Sequence, residues 1–416
     1  MRANKKPLKG KEPLRNSNPR YDIAVVGGAG HVGIPLSLVL ADCGQRTLIY
    51  DINKTALDTL RAGKLPFIEE DGEKFLQKAL QRKMLGFTDD PADLAGVPVI
   101  VATIGTPIDE FHNPNVTLLT RCVDTLLPHL TRGQTLILRS TVAPGVTEFL
   151  DRYLRDRGCE VGLAFCPERV VQGKGIPEIQ SIPQFVSATT PQALEVARAL
   201  FSRISPLVIE MTPLEAEFGK LICNTFRYIV FAATNQLYMM CANAGVDFLR
   251  LLEKIRRGYP RMADIPGPGF AAGPCLMKDT MQLFAFGRHT FPLGQVAMTI
   301  NEGLPNFIVD QLQKQFKLRG LKVGILGMAF KANVDDNRDS LSYKLAKILR
   351  FRGAKVVCSD EFIHDPSFKT KEEVIGSCKV VIIGVPHAAY RRLRIPSQAH
   401  LVDLWTVIKP GGKDGE

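Results

Sequence analysis

Short apolar runs, each stopping at small or polar residues, set the rhythm of the first two hundred residues. "DIAVVG" (22–27) is a β-branched run that passes through Gly28-Ala29-Gly30-His31-Val32-Gly33 into a helical pattern reaching Leu40. "TLIYD" (47–51), "VPVIVAT" (97–103), "QTLILRST" (134–141) and "GLAFCPER" (162–169) repeat the strand pattern. This alternation predicts a parallel sheet with ligands at the edge formed by the strands' C-terminal ends. From Thr212 to Ala244 the period changes to that of a helix. Proline stands near its start, glutamates in its first turns and Ala-Gly at its end. Phe218, Leu221, Ile222, Thr225, Ile229 and Ala232 recur at helical spacing, and Lys220 and Asn224, four apart, share one face. A second helix follows over 246–258. From 321 the opening grammar returns, as "LKVGILGMAFK", a helix with a strand ending at Asp360, "CKVVIIGVPH" and "HLVDLW".

The predicted fold is α/β: two Rossmann-like parallel-sheet domains joined by a long central helix. The expected segments are a flexible basic tail over 1–20, a dinucleotide-binding domain over 21–210, a central helical region over 211–305, and a second Rossmann-like domain over 306–416.

The strand, G-x-G-x-x-G, helix arrangement carries a chemical expectation. Gly28 makes the tight turn, Gly30 lets a pyrophosphate approach the backbone, and Gly33 lets helix pack on strand; the phosphates lie on the helix N-terminus. His31 and Val32 line the same turn; the His31 side chain reads as exposed and carries no chemistry. Asp51 closes the second strand, where a carboxylate accepts both ribose hydroxyls and repels a 2′-phosphate, so NAD is expected rather than NADP. Thr103, Thr106, Ser140, Thr141 and Glu168 stand at strand ends and are candidates by position. Turn chemistry is the plain alternative for the threonines.

Composition narrows the class. Across 416 residues, 45% are hydrophobic and 23% charged, ordinary for a globular chain long enough for two or three domains. The net charge is +11, but Arg2, Lys5, Lys6, Lys9, Lys11, Arg15 and Arg20 oppose only Glu12 in the first twenty residues, supplying over half the excess. That stretch lacks aromatic residues for stacking on bases, which argues against nucleic acid. Nine scattered cysteines without a CxxC pair argue against a disulfide scaffold or a metal cage and for a reducing, cytoplasmic setting. No secretory signal and no membrane-spanning apolar stretch are read.

Cys275 stands apart from the other cysteines. It sits in "GPGFAAGPCLMKD" (267–279), between turn-forming residues and ahead of Lys278, Asp279 and a new helical pattern. Nucleophile, metal ligand and inert packing are all compatible with that position. A helix N-terminus and a nearby lysine predict a lowered thiol pKa. Lys331 and Arg338 flank the acidic turn "ANVDDN" and are candidates for substrate or for structural salt bridges.

The chain resembles the nucleotide-sugar 6-dehydrogenase family, which includes UDP-glucose and UDP-N-acetylhexosamine dehydrogenases. The resemblance runs from about residue 21 to 405 through "GGAGHVG", "RSTVAPG", "CPERVVQGKG", "EAEFGKLICNTFR", "GPGFAAGPCLMKD" and "LGMAFKANVDDNRDS". It implies NAD-dependent four-electron oxidation of a sugar C6 alcohol to a carboxylate, with Cys275 forming a thiohemiacetal and then a thioester. It further implies that Lys220 stabilises an oxyanion, that Asn224 assists it, and that Asp279 takes part in proton transfer. Glu168 is implied as a base for thioester hydrolysis, and Thr141 as a neighbour of cofactor and water. Substrate contacts are expected from Glu168, Arg169, Val170, Lys220, Asn224, Arg227, Arg261, Gly273, Lys331 and Arg338, with Arg261 reaching across a homodimer. "PER", "NTFR" and "YPR" look like the N-acetylhexosamine branch, although "AAGPCLMKD" departs from both branches. A two-electron dehydrogenase of the β-hydroxyacid type is the nearest rival, and it leaves Cys275 without a role. A degenerate NAD-binding regulator is the other.

Overall fold

The computed structural model describes residues 20–106, 108–109, 115–288 and 290–408. Except for Arg20, the basic tail lies outside them. The described chain forms two compact units that divide after Ala216.

The first unit holds the strands β1 (Ile23–Val26), β2 (Thr47–Tyr50), β3 (Leu85–Thr88), β4 (Val99–Ala102), β5 (Thr135–Leu138), β6 (Gly162–Phe165), β7 (Gln184–Ala188) and β8 (Val208–Glu210). They form one sheet in the order β3-β2-β1-β4-β5-β6-β7-β8. The helices are α1 (Gly33–Asp42), α2 (Lys54–Arg61), α3 (Gly72–Gln81), α4 (Val116–Leu126), α5 (Val146–Arg155), α6 (Gly175–Ser181) and α7 (Pro191–Phe201). Side chains alternate across the sheet. Ile23, Val25, Ile49, Val101 and Ile137 pack with α1 on one face. Ala24, Val26, Leu48, Ile100 and Leu136 pack with α4 and α5 on the other. The five strands read from apolar runs are all present. One pairing departs from the all-parallel expectation, since β6 and β7 run antiparallel. The other three strands lack a clear apolar run: Gly86 interrupts β3, Gln184 and Ser187 sit in β7, and β8 has three residues.

The second unit is built on α8 (Pro213–Asn243), α9 (Phe248–Arg256), α10 (Leu276–Phe286), α11 (Pro292–Gln315), β9 (Lys322–Leu326), α12 (Leu341–Phe351), β10 (Lys355–Ser359), α13 (Lys371–Ser377), β11 (Val380–Ile383) and β12 (His400–Val402). Its four strands are parallel in the order β10-β9-β11-β12. Leu304, Ile308 and Leu312 of α11 share a core with Val323, Ile325 and Ile382. Helix α11 therefore packs on the second sheet. Along α8, Leu221, Thr225 and Ala232 are buried, while Ile222 and Phe226 face outward at 53% and 66% exposure. Among the described residues no helix is long and apolar enough to cross a membrane.

Candidate active site

In the first unit the glycine turn has the shape its motif requires. Gly27, not Gly28, takes the left-handed conformation (φ +71°), so the tight turn lies one residue earlier than expected. A Cβ on Gly28 would lie 2.6 Å from the Val25 carbonyl, and one on Gly33 would lie 2.5 Å from the Gly27 carbonyl. Gly30 differs: its Cβ would meet only the Gly27 carbonyl, at 3.4 Å. The protein itself hardly demands a glycine there, and the space a side chain would fill is open. Val32 caps α1. His31 is not the exposed bystander expected, since its ring packs on Phe67 at 3.9 Å and its Nδ1 lies 3.3 Å from Gln172 Nε2. Asp51 accepts from the Ala29 and Asn53 N–H groups at 3.0 and 2.9 Å, which ties the acid to the glycine turn.

The neighbouring strand ends are firmly held. Thr103 donates to the Val26 and Gly27 carbonyls, Thr106 to the Thr141 carbonyl, and Ser140 to the Ala102 carbonyl. Glu168 is buried and fully engaged. Its Oε2 accepts from Arg139 Nε at 3.1 Å and Nη2 at 2.7 Å, and its Oε1 accepts from the N–H groups of Arg169 and Val170. Arg139 has no exposed surface; it also donates to the Cys166 carbonyl and Gln184, and it stacks on Phe201. A carboxylate with four donors on it is a fastening, and the geometry disfavours Glu168 as a general base. Arg169 is likewise committed, donating to the Pro183 carbonyl and lying 3.7 Å over the Phe185 ring. Its backbone and that of Val170 hold Glu168.

The second unit assembles four of the predicted residues. Lys220 and Asn224 of α8 are buried, at 7% and 9% exposure, and turn toward Asp279 of α10, at 1%. Asn224 Nδ2 donates to Asp279 Oδ2 at 2.6 Å, and Lys220 Nζ stands 3.9 Å from the same oxygen. Lys278 Nζ lies 2.8 Å from Oδ1, an ion pair without hydrogen-bond alignment. Cys275 is the N-cap residue of α10, and its carbonyl accepts the Asp279 N–H at 2.9 Å. Burial raises the thiol pKa and the Asp279 charge adds to it, whereas Lys220, Lys278 and Arg338 pull it down. The net shift is upward. The lowered pKa expected from the helix end and lysine is therefore reversed, because desolvation and a buried carboxylate outweigh the cations. Cys275 keeps open surface as a residue, yet enough protein surrounds the sulfur to desolvate it.

The loop before Cys275 is shaped by its glycines. Gly273 has φ +95°, and a Cβ there would stand 2.4 Å from the Phe330 ring. Arg338 chelates Asp336, with Nε 3.0 and 2.9 Å from its two oxygens, so part of its charge has a structural partner. Lys331 lies partly buried after Phe330. Arg227 faces outward on α8, and Arg261, in the short helix Pro260–Met262, rests against Tyr259. Neither joins the buried cluster within this chain. Sequence reasoning singled out Lys278 as the lysine beside Cys275 but missed Arg139, for which an arginine closing the apolar strand "TLIL" was the available signal.

Comparison with known proteins follows this layout. The UDP-glucose/GDP-mannose dehydrogenase family matches in three parts: its NAD binding domain over residues 21–205, its central domain over 214–303, and its UDP binding domain over 324–410. A UDP-N-acetyl-D-mannosamine dehydrogenase of Pyrococcus horikoshii is 27% identical over 381 residues, 89% of this chain and 90% of that protein. A solved structure of UDP-D-ManNAc dehydrogenase from Pyrococcus horikoshii superposes with a TM-score of 0.86 at 27% identity, over 94% of this chain and 96% of the other. A UDP-glucose dehydrogenase from Pyrobaculum islandicum gives 0.84 at 25%, over 95% and 96%. With its NAD-binding, central and UDP-binding parts in order, and a buried lysine, asparagine and aspartate beside a cysteine, the chain belongs to the UDP-glucose/GDP-mannose dehydrogenase family of NAD-dependent oxidoreductases.

Proposed function

We propose that this dehydrogenase oxidises the C6 alcohol of a UDP-N-acetylhexosamine to the carboxylate, by way of a thioester on Cys275. The observation that carries the reading is the buried group of Lys220, Asn224 and Asp279 at the first turn of the helix that Cys275 caps. The NAD site fits the turn at Gly28, Gly30 and Gly33, with Asp51 for the ribose, and NAD+ supplies hydride acceptance twice per sugar.

One hydride removal gives an aldehyde, which has no second hydride to give until a nucleophile adds to its carbon. Cys275 sulfur is that nucleophile. Its addition creates an alkoxide, and loss of a second hydride from the thiohemiacetal leaves a thioester. Water attacks the thioester carbon, the sulfur leaves, and the carboxylate departs. Lys220 makes no side-chain hydrogen bond among the described residues, so its ammonium is available to an oxyanion in a site that excludes bulk water. Asn224 holds Asp279 in place, and Asp279 accepts the proton of the thiol or of the attacking water. The raised thiol pKa requires such an acceptor. With Glu168 engaged by Arg139, the base role falls to Asp279. Lys331 and Arg338 are the candidates for the uridine diphosphate. The N-acetyl preference rests on the Pyrococcus relative and on "PER", "NTFR" and "YPR". The outward apolar face of α8, with Ile222, Phe226 and Met240, supports a homodimer in which Arg261 serves the partner's site. Initial rates over a panel of UDP-sugars test this. UDP-N-acetylhexosamines should exceed UDP-glucose at least tenfold in kcat/KM, and the opposite order would overturn the assignment.

A further inference from the structure

The loop that delivers Cys275 is gripped by one buried amide, backed by a second, and the chemistry above uses neither. Asn235 of α8 has no exposed surface and brackets one glycine: its Oδ1 accepts the Gly269 N–H at 2.8 Å and its Nδ2 donates to the Gly269 carbonyl at 3.0 Å. The same Nδ2 donates to Oδ1 of Asn301 in α11 at 2.9 Å, and Asn301 Nδ2 donates to the Tyr228 carbonyl of α8 at 3.1 Å. Asn301 is also wholly buried. On the other side of Gly269 the Trp405 indole occupies the place of a side chain, 2.3 Å from where a Cβ would be. The glycine is thus pinned between an amide and a ring.

Position along α8 gives the pair its meaning. Eleven residues separate Asn224 from Asn235, close to three helical turns, so both project from one face. One end of that face holds Asp279 through Asn224, and the other holds the loop through Asn235. A fully satisfied buried polar network fixes one geometry, because any slippage leaves buried groups without partners. Ala271, two residues further along the loop, packs with Tyr228, Ala232 and Ala297.

We infer that Asn235 and Asn301 are positioning residues that set the register of the 267–274 loop on α8, and so place Cys275 relative to Lys220 and Asp279. This rests on the cysteine chemistry proposed above, so the test includes a readout independent of turnover. Asn235→Asp keeps the volume and the bond from Gly269 N–H but loses both donors; Asn301→Ala removes the second amide. In each variant, alkylation of every cysteine is followed by peptide mass, alongside steady-state kinetics with UDP-sugar and NAD. Release of the loop hydrates the thiol. Alkylation of Cys275 should then rise at least fivefold while that of buried Cys166 and Cys358 stays within twofold. kcat should fall at least tenfold with KM for NAD within twofold. Unchanged Cys275 labelling in both variants would overturn the inference. So would a parallel rise at all three cysteines, which would make the pair a support of the whole fold. If Cys275 labelling rises but the wild type releases only one NADH per sugar, the positioning stands and the thioester reading fails.

Discussion

Asn224 donates to Asp279 across 2.6 Å, joining the long helix to the helix that Cys275 caps. Asp279 thereby stays buried beside two lysines, and its charge is one of the two causes that raise the Cys275 thiol pKa. The sign follows directly. Asp279→Asn removes a raising cause, so the pH midpoint for Cys275 alkylation should move down. Lys220→Met removes a lowering one and should move it up. Thiol-specific labelling from pH 6 to 11 reads both, and movement in the same direction in the two variants would contradict the electrostatic account.

Arg139 and Glu168 form the most buried ion pair among the described residues of the first unit, with side-chain exposures of 0% and 8%. Arg139→Ala leaves the carboxylate desolvated and uncompensated, and should cost roughly 3–5 kcal/mol in denaturant unfolding. Replacing both residues by apolar ones should restore part of that loss. Glu168→Gln keeps the volume but sets an NH2 against either Arg139 or the Arg169 and Val170 N–H groups, so it should also lower the unfolding free energy. Turnover per folded enzyme should be largely retained, and a thousandfold loss in kcat for the folded variant would return the base role to Glu168.

The second sheet ends in an acid as the first does, but Asp360 is spent internally. Its Oδ2 accepts from the Met328 and Ala329 N–H groups and lies 3.1 Å from His387 Nε2, while Oδ1 accepts from Phe362 and Ile363. Burial pushes the Asp360 pKa up, but His387 and the N–H groups more than reverse it, to about 2. A carboxyl pKa lowered from 3.8 stabilises the fold above pH 4 and loses that stability as pH falls through about 2. Unfolding free energies measured from pH 5 down to 2 should decline by roughly 2 kcal/mol more than in Asp360→Asn.

Asp51 is the first unit's counterpart of that acid, and the proposed function gives it to a ribose. Asp51→Ala should raise KM for NAD about tenfold, the worth of one charge-assisted hydrogen bond. The NAD-to-NADP ratio of kcat/KM should narrow by a similar factor. An unchanged ratio would assign cofactor choice elsewhere.

Local patterns carried the parts of this molecule that were legible in sequence. The glycine turn spans seven residues, Lys220 and Asn224 stand one helical turn apart, and each strand of the second sheet has its apolar run. Partnerships across long separations were not legible. Asn235 meets Gly269 34 residues away and Asn301 66 residues away, and Arg139 meets Glu168 29 residues on. Nothing local distinguishes such an asparagine from a surface one. The direction of the Cys275 pKa was misread for a related reason: the helix end and lysine were visible, but the degree of desolvation belongs to the packed structure.

The central claim is that Cys275 carries the second oxidation. Its most direct measurement is NADH released per UDP-N-acetylhexosamine consumed, for wild type and Cys275→Ser. The account predicts two NADH per sugar in the wild type, with the yield falling to one or turnover stalling in the variant. One NADH per sugar in both proteins would contradict it and leave Cys275 without a catalytic part.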